Sequence, residues 1–206
     1  MRDNFVSGNY TPKYTTKNPI TRCLTLNFKK DIYRLIGLAK LNRKSNVLEV
    51  GAGDGHFLRS IIERFGFYNV MATDISADEL KKAKKNLEGC NVVIEKENAE
   101  SLSFDSNSFD LVIACEVLEH INDPQKAILE LKRVSKKYIL ISVPVEPKWR
   151  ILHFITGKYL KSFGNTPGHI NHWSKKDFQS FLNDADLNIV GIRYPVPWWQ
   201  AYLVRK

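Results

Sequence analysis

The sequence predicts an α/β protein built on a doubly wound, mostly parallel sheet with helices on both faces. From residue 46 onward, apolar strand candidates alternate with helical patterns, as in successive βαβ units. The strand candidates are continuous apolar runs, which is typical of strands buried on both faces. Three glycines, at positions 51, 53 and 55, follow the first strand and open a helix. Such a turn predicts a ligand site at one edge of the sheet.

The individual elements follow from periodicity and from end signals. Continuous apolar runs predict strands over 46–50, 69–73, 91–95, 109–114 and 137–143. Apolar residues at helical spacing predict helices over 26–41, 54–65, 76–88, 123–134 and 174–184. Ser76, Asp123 and Ser174 are predicted N-caps, with Pro124 suited to the first helical position.

The end of the chain departs from simple alternation. Two further strands are predicted over 187–194 and 200–206, and the few residues between them favour an antiparallel pair. Residues 1–25 lack periodicity and are predicted to form an irregular arm. Residues 26–206 are then one domain, with an insertion near the site at about 144–173, a stretch rich in Pro, Gly, His and aromatic residues.

Composition narrows the class of protein. The 206 residues contain 31 Lys and Arg against 22 Asp and Glu, a net charge of +9, but the basic residues are scattered. We therefore expect a solvated basic surface rather than a nucleic-acid site. No apolar run reaches membrane-spanning length, and the first residues do not resemble a secretion signal. The three cysteines lack metal-ligand spacing, so we expect a cytoplasmic protein.

The glycine turn itself excludes two common ligand classes. A P-loop needs a lysine that this turn lacks, and a dinucleotide fingerprint needs a third glycine where His56 stands. Glu49 precedes the turn and would repel a pyrophosphate. Asp74 ends the second strand, where an acid can bind ribose hydroxyls. A nucleoside that carries positive charge and no phosphate fits both acids, although Asp74 would also serve as a helix cap.

Four motifs carry a resemblance to a known family. They are LEVGAGDG (48–55), ATDIS (72–76), ENAESLSFDSNSFDLVIACEVLEHINDP (97–124) and YILISVP (138–144). The chain resembles the class I S-adenosylmethionine-dependent methyltransferases, in the broad group that includes ubiquinone and menaquinone biosynthesis enzymes. The resemblance covers roughly residues 30–206. It implies a Rossmann-like sheet with an antiparallel C-terminal strand, S-adenosyl-L-methionine as donor and S-adenosyl-L-homocysteine as product.

The resemblance also assigns residues to the donor. Asp74 would bind the ribose, and Ile75 would pack on the adenine. The family often has Asp where this chain has Asn98, whose carbonyl can still accept a hydrogen bond from the adenine amino group. The implied donor site comprises Glu49, Gly51, Ala52, Gly53, Gly55, Asp74, Ile75, Asn98, Ala99, Glu100, Cys115 and Glu116.

The acceptor side offers candidate general bases. The catalytic candidates are His120, His169, His172 and Glu116, with a structural role as the alternative for each histidine. Helical spacing would place Glu116 and His120 on one side of a hinge, whereas Glu119 is expected at the surface. His169 and His172 lack an evident further ligand, so no metal is predicted.

Aromatic residues near the insertion bear on the acceptor. The segment 143–165 suits a lid over an apolar acceptor, an interfacial helix at a membrane, or an ordinary packed helix. Trp198 and Trp199 would line the acceptor cleft or fill the core, and Tyr10 and Tyr14 could close over the donor. We therefore predict methyl transfer to an O, N or C centre of a small molecule, apolar or phosphorylated. The alternatives are an RNA or protein methyltransferase, or a non-catalytic protein that binds S-adenosylmethionine.

Overall fold

The computed structural model describes residues 16–145, 168–195 and 199–206. Five helices lie in these residues: α1 (Pro19–Leu38), α2 (His56–Phe65), α3 (Ala77–Asn86), α4 (Pro124–Val134) and α5 (Lys175–Asp184). Their strands are β1 (Asn46–Val50), β2 (Asn69–Asp74), β3 (Val92–Lys96), β4 (Phe109–Cys115), β5 (Ser135–Pro144), β6 (Asn188–Arg193) and β7 (Trp199–Arg205). A short 3₁₀ turn, Leu118–His120, follows β4.

The seven strands form one sheet in the order β3-β2-β1-β4-β5-β7-β6. The first five of these are parallel, and β7 runs antiparallel to both of its neighbours. The predicted fold class and the predicted antiparallel pair near the end of the chain are therefore confirmed. The strand order reverses between β1 and β4, which opens a crevice at their carboxyl ends, where such sheets bind ligands.

Helices cover both faces of the sheet, as the continuous apolar strands require. On one face, α1 and α2 bury Ile32, Leu35 and Leu58 against the sheet. On the other, α4 and α5 bury Ile128 and Phe178. Among the residues that the structure describes, no helix combines the length and apolarity needed to cross a membrane.

The first helix begins earlier than the sequence pattern predicts. It starts at Pro19, so the residues just before position 26 are helical and the predicted arm boundary at residue 25 is wrong. Asn18 caps the helix, since its side-chain oxygen accepts hydrogen bonds from Ile20 N at 2.9 Å and Thr21 N at 3.2 Å. Apolar periodicity misses this first turn because its residues are solvent-exposed. The Asn-Pro pair, an N-cap followed by proline, was the available signal.

The remaining ends differ from prediction by a few residues. Helix α2 begins at His56, because Gly55 before it is left-handed. Strand β5 follows α4 with no loop and begins at Ser135, two residues early. The predicted caps Ser76, Asp123 and Ser174 are confirmed, and Ser174 forms a full capping box. Most of the predicted insertion, residues 146–167, lies outside the described residues, as do Tyr10, Tyr14 and Trp198.

Candidate active site

The glycine turn after β1 takes a backbone course that other residues rarely adopt. Gly51 has φ +72° and Gly55 has φ +78°. A β-carbon at position 51 would lie 2.5 Å from Val117 Cγ2, so a side chain there would force Val117 to move. Ala52 N donates to Thr73 O at 2.8 Å, which ties the turn to the end of β2. The turn therefore presents bare backbone at the crevice between β1 and β4.

Asp74 connects the turn to the next helix. One carboxylate oxygen accepts a hydrogen bond from Gly53 N at 2.9 Å, and the other accepts one from Ser76 N at 2.8 Å. Ser76, rather than Asp74, caps α3, because its hydroxyl accepts from Glu79 N. Burial raises the pKa of Asp74, and the two backbone hydrogen bonds partly oppose that rise. Asp74 is thus a fixed acceptor at the end of β2, where the sequence places a ribose ligand.

Glu49 is a buried acid beneath the turn. Glu49 is a residue of β1 and is 3% exposed. Its Oε2 atom has no hydrogen-bond partner among the described residues. Burial first, and then the charges of Asp74 and Asp54, raise the pKa of Glu49 well above its ordinary value. A cationic ligand would offset this cost by pairing with the carboxylate. The structure therefore fits the positively charged nucleoside that the sequence indicates.

The loop after β3 is held by its own polar groups. Asn98 Oδ1 accepts a hydrogen bond from Glu100 N at 2.9 Å, so its amide oxygen also orders the loop. Glu100 Oε1 accepts from Asp123 N, which ties the loop to the start of α4. Ala99 packs against the α4 side of the core. The half-buried Ile75 lies next to Asp74 on the neighbouring connection.

The end of β4 carries a backbone conformation that is unusual outside glycine. Glu116 has φ +58°, and its N–H donates to Ser142 O at 2.9 Å. Non-glycine residues in this region concentrate at functional sites. Cys115 precedes it, half-buried against the α1 side of the core. The predicted helical hinge is wrong here, because the left-handed Glu116 is followed by a 3₁₀ turn rather than an α-helical one.

A second segment docks on the turn that follows β4. The backbone N–H groups of Ile170 and Asn171 both donate to the carbonyl of Glu119, at 2.9 and 3.1 Å. The side-chain amide of Asn171 donates to the carbonyls of Leu118 and Ile121, at 3.0 and 2.6 Å. These bonds hold Ile170 and Asn171, which belong to the predicted acceptor side, against the connection that follows β4. Asn171 is a structural residue that the sequence patterns did not single out.

The same docking brings two of the predicted histidines together. His120 Nδ1 donates to Gly168 O at 2.9 Å, and the rings of His120 and His169 meet edge to face, with centroids 4.9 Å apart. Glu119 is 1% exposed, so its predicted surface position is wrong. One ligand atom from each of Glu119, His120 and His169 lies within 4.8 Å of the others. His172 is exposed and lies outside this group. The sequence spacing groups His169 with His172, whereas the structure places His169 next to His120.

Comparison with known proteins agrees with this geometry. Residues 48–140 match the family model described as a methyltransferase domain. The chloroplastic 2-methyl-6-phytyl-1,4-hydroquinone methyltransferase of Spinacia oleracea is 30% identical over 158 residues, which cover 74% of this chain and 44% of the relative. A chloroplastic enzyme of the same name from Oryza sativa subsp. japonica is 28% identical over 155 residues, covering 74% and 43%. The chain spans less than half the length of these curated relatives.

Solved structures show the same fold. A SAM-dependent methyltransferase from Aquifex aeolicus superposes with a TM-score of 0.67 at 19% identity, covering 85% of this chain and 89% of that one. Magnesium protoporphyrin IX methyltransferase from Synechocystis PCC 6803, solved with bound SAH, gives 0.68 at 16% identity, covering 93% and 89%.

The sheet order and the methyltransferase-domain match over residues 48–140 make this chain similar to the class I S-adenosylmethionine-dependent methyltransferases. Within that class, this chain is similar to hydroquinone and ubiquinone-biosynthesis methyltransferases.

Proposed function

We propose that the protein transfers the methyl group of S-adenosylmethionine to an O, N or C centre of a small-molecule acceptor and releases S-adenosylhomocysteine. The observation that carries this proposal is the buried Glu49 carboxylate beneath the glycine turn, with Asp74 fixed beside it. A pair of acidic side chains at this place suits a donor that is a cationic nucleoside. The methyltransferase relatives support the same reaction.

The chain's own residues would bind the donor from the ends of two strands, β1 and β2. Glu49 attracts the positively charged methionine end, and the bare backbone at Gly51 allows its close approach. Asp74 accepts hydrogen bonds from the ribose hydroxyls, while Ile75 covers the adenine. The donor supplies a methyl group on a sulfonium sulfur, so that the carbon–sulfur bond breaks as the acceptor atom forms its bond to carbon. Alignment of the acceptor and exclusion of water are then the protein's main contributions.

An acceptor that carries O–H or N–H must lose a proton during the transfer. His120 is the best-placed candidate base among the described residues, because its Nδ1 bonds to Gly168 O at 2.9 Å and in the neutral ring the lone pair would then be on Nε2. Glu116, which directly follows β4, is the second candidate. The names of the relatives favour a phenolic or quinol-like acceptor as the first one to test.

We also propose that the reaction takes place in the cytoplasm.

Calorimetry followed by a transfer assay tests the proposal. Purified protein is titrated with S-adenosylmethionine and S-adenosylhomocysteine, and we expect saturable binding of one ligand per chain. Methyl-labelled donor is then incubated with a panel of substituted hydroquinones, with total RNA as the comparison at several salt concentrations. Transfer to a hydroquinone supports the proposal. The absence of donor binding, or strong and salt-sensitive labelling of RNA alone, would overturn it.

A further inference from the structure

A buried cluster of metal-ligand side chains lies outside the residues assigned to the donor. Glu119 and His120 come from the 3₁₀ turn after β4, and His169 comes from the segment that docks on it. One ligand atom from each residue lies within 4.8 Å of the other two, and both Glu119 and His169 are buried. Two imidazoles and one carboxylate form the ligand set of many Zn²⁺ sites that keep an open position.

The spacing is close to what a metal ion requires. Ligand atoms in a tetrahedral zinc site with bonds of about 2.0–2.1 Å stand about 3.4 Å apart. Separations of at most 4.8 Å would therefore have to shorten by no more than about 1.4 Å around an ion. The hydrogen bonds from Ile170 and Asn171 to Glu119 O already fix the two segments relative to each other, so the backbone of the site is preorganised.

The hydrogen bond of His120 fits the same role. A histidine ligand commonly donates from its second ring nitrogen to a carbonyl, which fixes the tautomer and the ring orientation. With Nδ1 of His120 donating to Gly168 O at 2.9 Å, coordination of an ion would fall to Nε2. The residue next to Gly168 is His169, so one short segment supplies both a ligand and the support of another ligand.

From these contacts we propose that Glu119, His120 and His169 bind one divalent transition-metal ion of the Zn²⁺ type. Three protein ligands leave a coordination position for water or for an oxygen of the acceptor. An acceptor hydroxyl bound there would lose its proton to solvent water more readily, which would make the histidines ligands rather than bases. This role in the reaction rests on the proposed methyl transfer, whereas ion binding itself does not.

Metal titration of tag-free protein tests the site. Chelator-treated and dialysed protein is titrated with Zn²⁺ by calorimetry and with Co²⁺ by visible absorption. We expect one ion per chain, with the intense absorption of a four- or five-coordinate cobalt site. Glu119→Gln and His169→Asn should each weaken Zn²⁺ binding at least about tenfold. His172→Asn, an exposed histidine in the same segment, is the matched control and should bind Zn²⁺ as the wild type does.

The outcomes separate the metal site from the proposed function. Binding of S-adenosylmethionine is measured on the same chelated sample. Donor binding without one-to-one Zn²⁺ binding would overturn the metal site and leave the methyltransferase proposal standing. Zn²⁺ binding without donor binding would support the metal site and overturn the methyltransferase proposal. Because the wild-type titration decides the question without any variant, misfolding of a variant does not obscure it. Wild-type Zn²⁺ affinity in a Glu119→Gln/His169→Asn double variant with native circular dichroism would also overturn the site.

Discussion

The backbone of Gly51 lies directly against the side chain of Val117: a β-carbon on Gly51 would stand 2.5 Å from Val117 Cγ2. One residue belongs to the turn after β1, and the other to the connection after β4. Their contact places the two connections side by side at the carboxyl edge of the sheet, so the width of the donor crevice depends on the absence of a side chain at position 51.

We expect Gly51→Ala to destabilise the fold and abolish donor binding. The left-handed backbone costs a residue with a β-carbon about 1–2 kcal/mol, and overpacking against Val117 adds about 1–3 kcal/mol. Thermal or urea unfolding measures the loss. Gly37→Ala is the matched control, because Gly37 lies in α1, where an added β-carbon would meet no atom within 4 Å. That control should raise stability by about 0.5–1 kcal/mol. Equal effects at the two glycines would contradict this account.

Asp74→Asn should weaken S-adenosylmethionine binding by about ten- to a hundredfold. Hydrogen bonds to a charged acceptor contribute about 1.5–3 kcal/mol, and the amide replaces one carboxylate oxygen by a donor that faces Gly53 N or Ser76 N. Calorimetry measures the dissociation constant. Asp78→Asn is the control, since Asp78 is an exposed acid on α3 that pairs with Lys81. Unchanged affinity in Asp74→Asn would remove Asp74 from the donor site.

Glu49→Gln should weaken donor binding and raise the stability of the fold, and the gain in stability should depend on pH. The folded state raises the pKa of Glu49, so folding favours its protonated form. The contribution of protonated Glu49 to the free energy of unfolding is fully present at low pH. It is lost as the pH rises from 4.5, the ordinary pKa of a glutamate, through the raised pKa of Glu49 in the folded state. The glutamine, which never ionises, should therefore melt several degrees above the wild type at pH 8.

The same comparison at acidic pH supplies the control. Near pH 4.5, where wild-type Glu49 is already protonated, the melting temperatures of the two proteins should converge. Adding S-adenosylmethionine at pH 8 should raise the melting temperature of the wild type and not that of the variant. A Glu49→Gln protein that is less stable than the wild type at pH 8 would show that the carboxylate has an interaction stronger than its burial cost.

Asn171→Ala should loosen the acceptor side without changing the donor site. The variant leaves the carbonyls of Leu118 and Ile121 without their amide partner, which costs about 1–3 kcal/mol. We expect a lower melting temperature, a raised KM for the acceptor and an unchanged dissociation constant for S-adenosylmethionine. Asn183→Ala, at an exposed position near the end of α5, is the control. A large loss of donor affinity in Asn171→Ala would indicate that the segment positions the donor as well.

Local signals were sufficient for most of the fold. Continuous apolar strands and the caps at Ser76, Asp123 and Ser174 predicted the parallel sheet and three of its helices. The short link between the last two strands predicted their antiparallel pairing. The short link does not indicate which of these two strands pairs with β5. In the structure β7 does so, because the pairing depends on packing between segments distant in sequence.

The positions of the predicted donor-side residues follow from the sequence, and those on the acceptor side follow from it less well. Glu49, Gly51 and Asp74 lie at strand ends that a motif can locate. Regular helical spacing through residues 116–120 predicts a surface position for Glu119. The left-handed Glu116 and the following 3₁₀ turn break that spacing and direct the Glu119 side chain inward. The partner segment at 168–171 is about fifty residues away, and no local pattern links the two.

The position of β7 inside the sheet has a consequence for the order of folding. Among the described strands, β6 pairs with β7 alone, and Tyr202, Leu203 and Val204 of β7 are fully buried between β5 and β6. During synthesis from the amino end, β6 therefore leaves the ribosome before the strand that connects it to the rest of the sheet exists. A nascent or truncated chain that stops before residue 199 would expose the edge of β5 and leave β6 unpaired. Such a species is a candidate for chaperone binding and aggregation until β7 arrives and pairs with both strands.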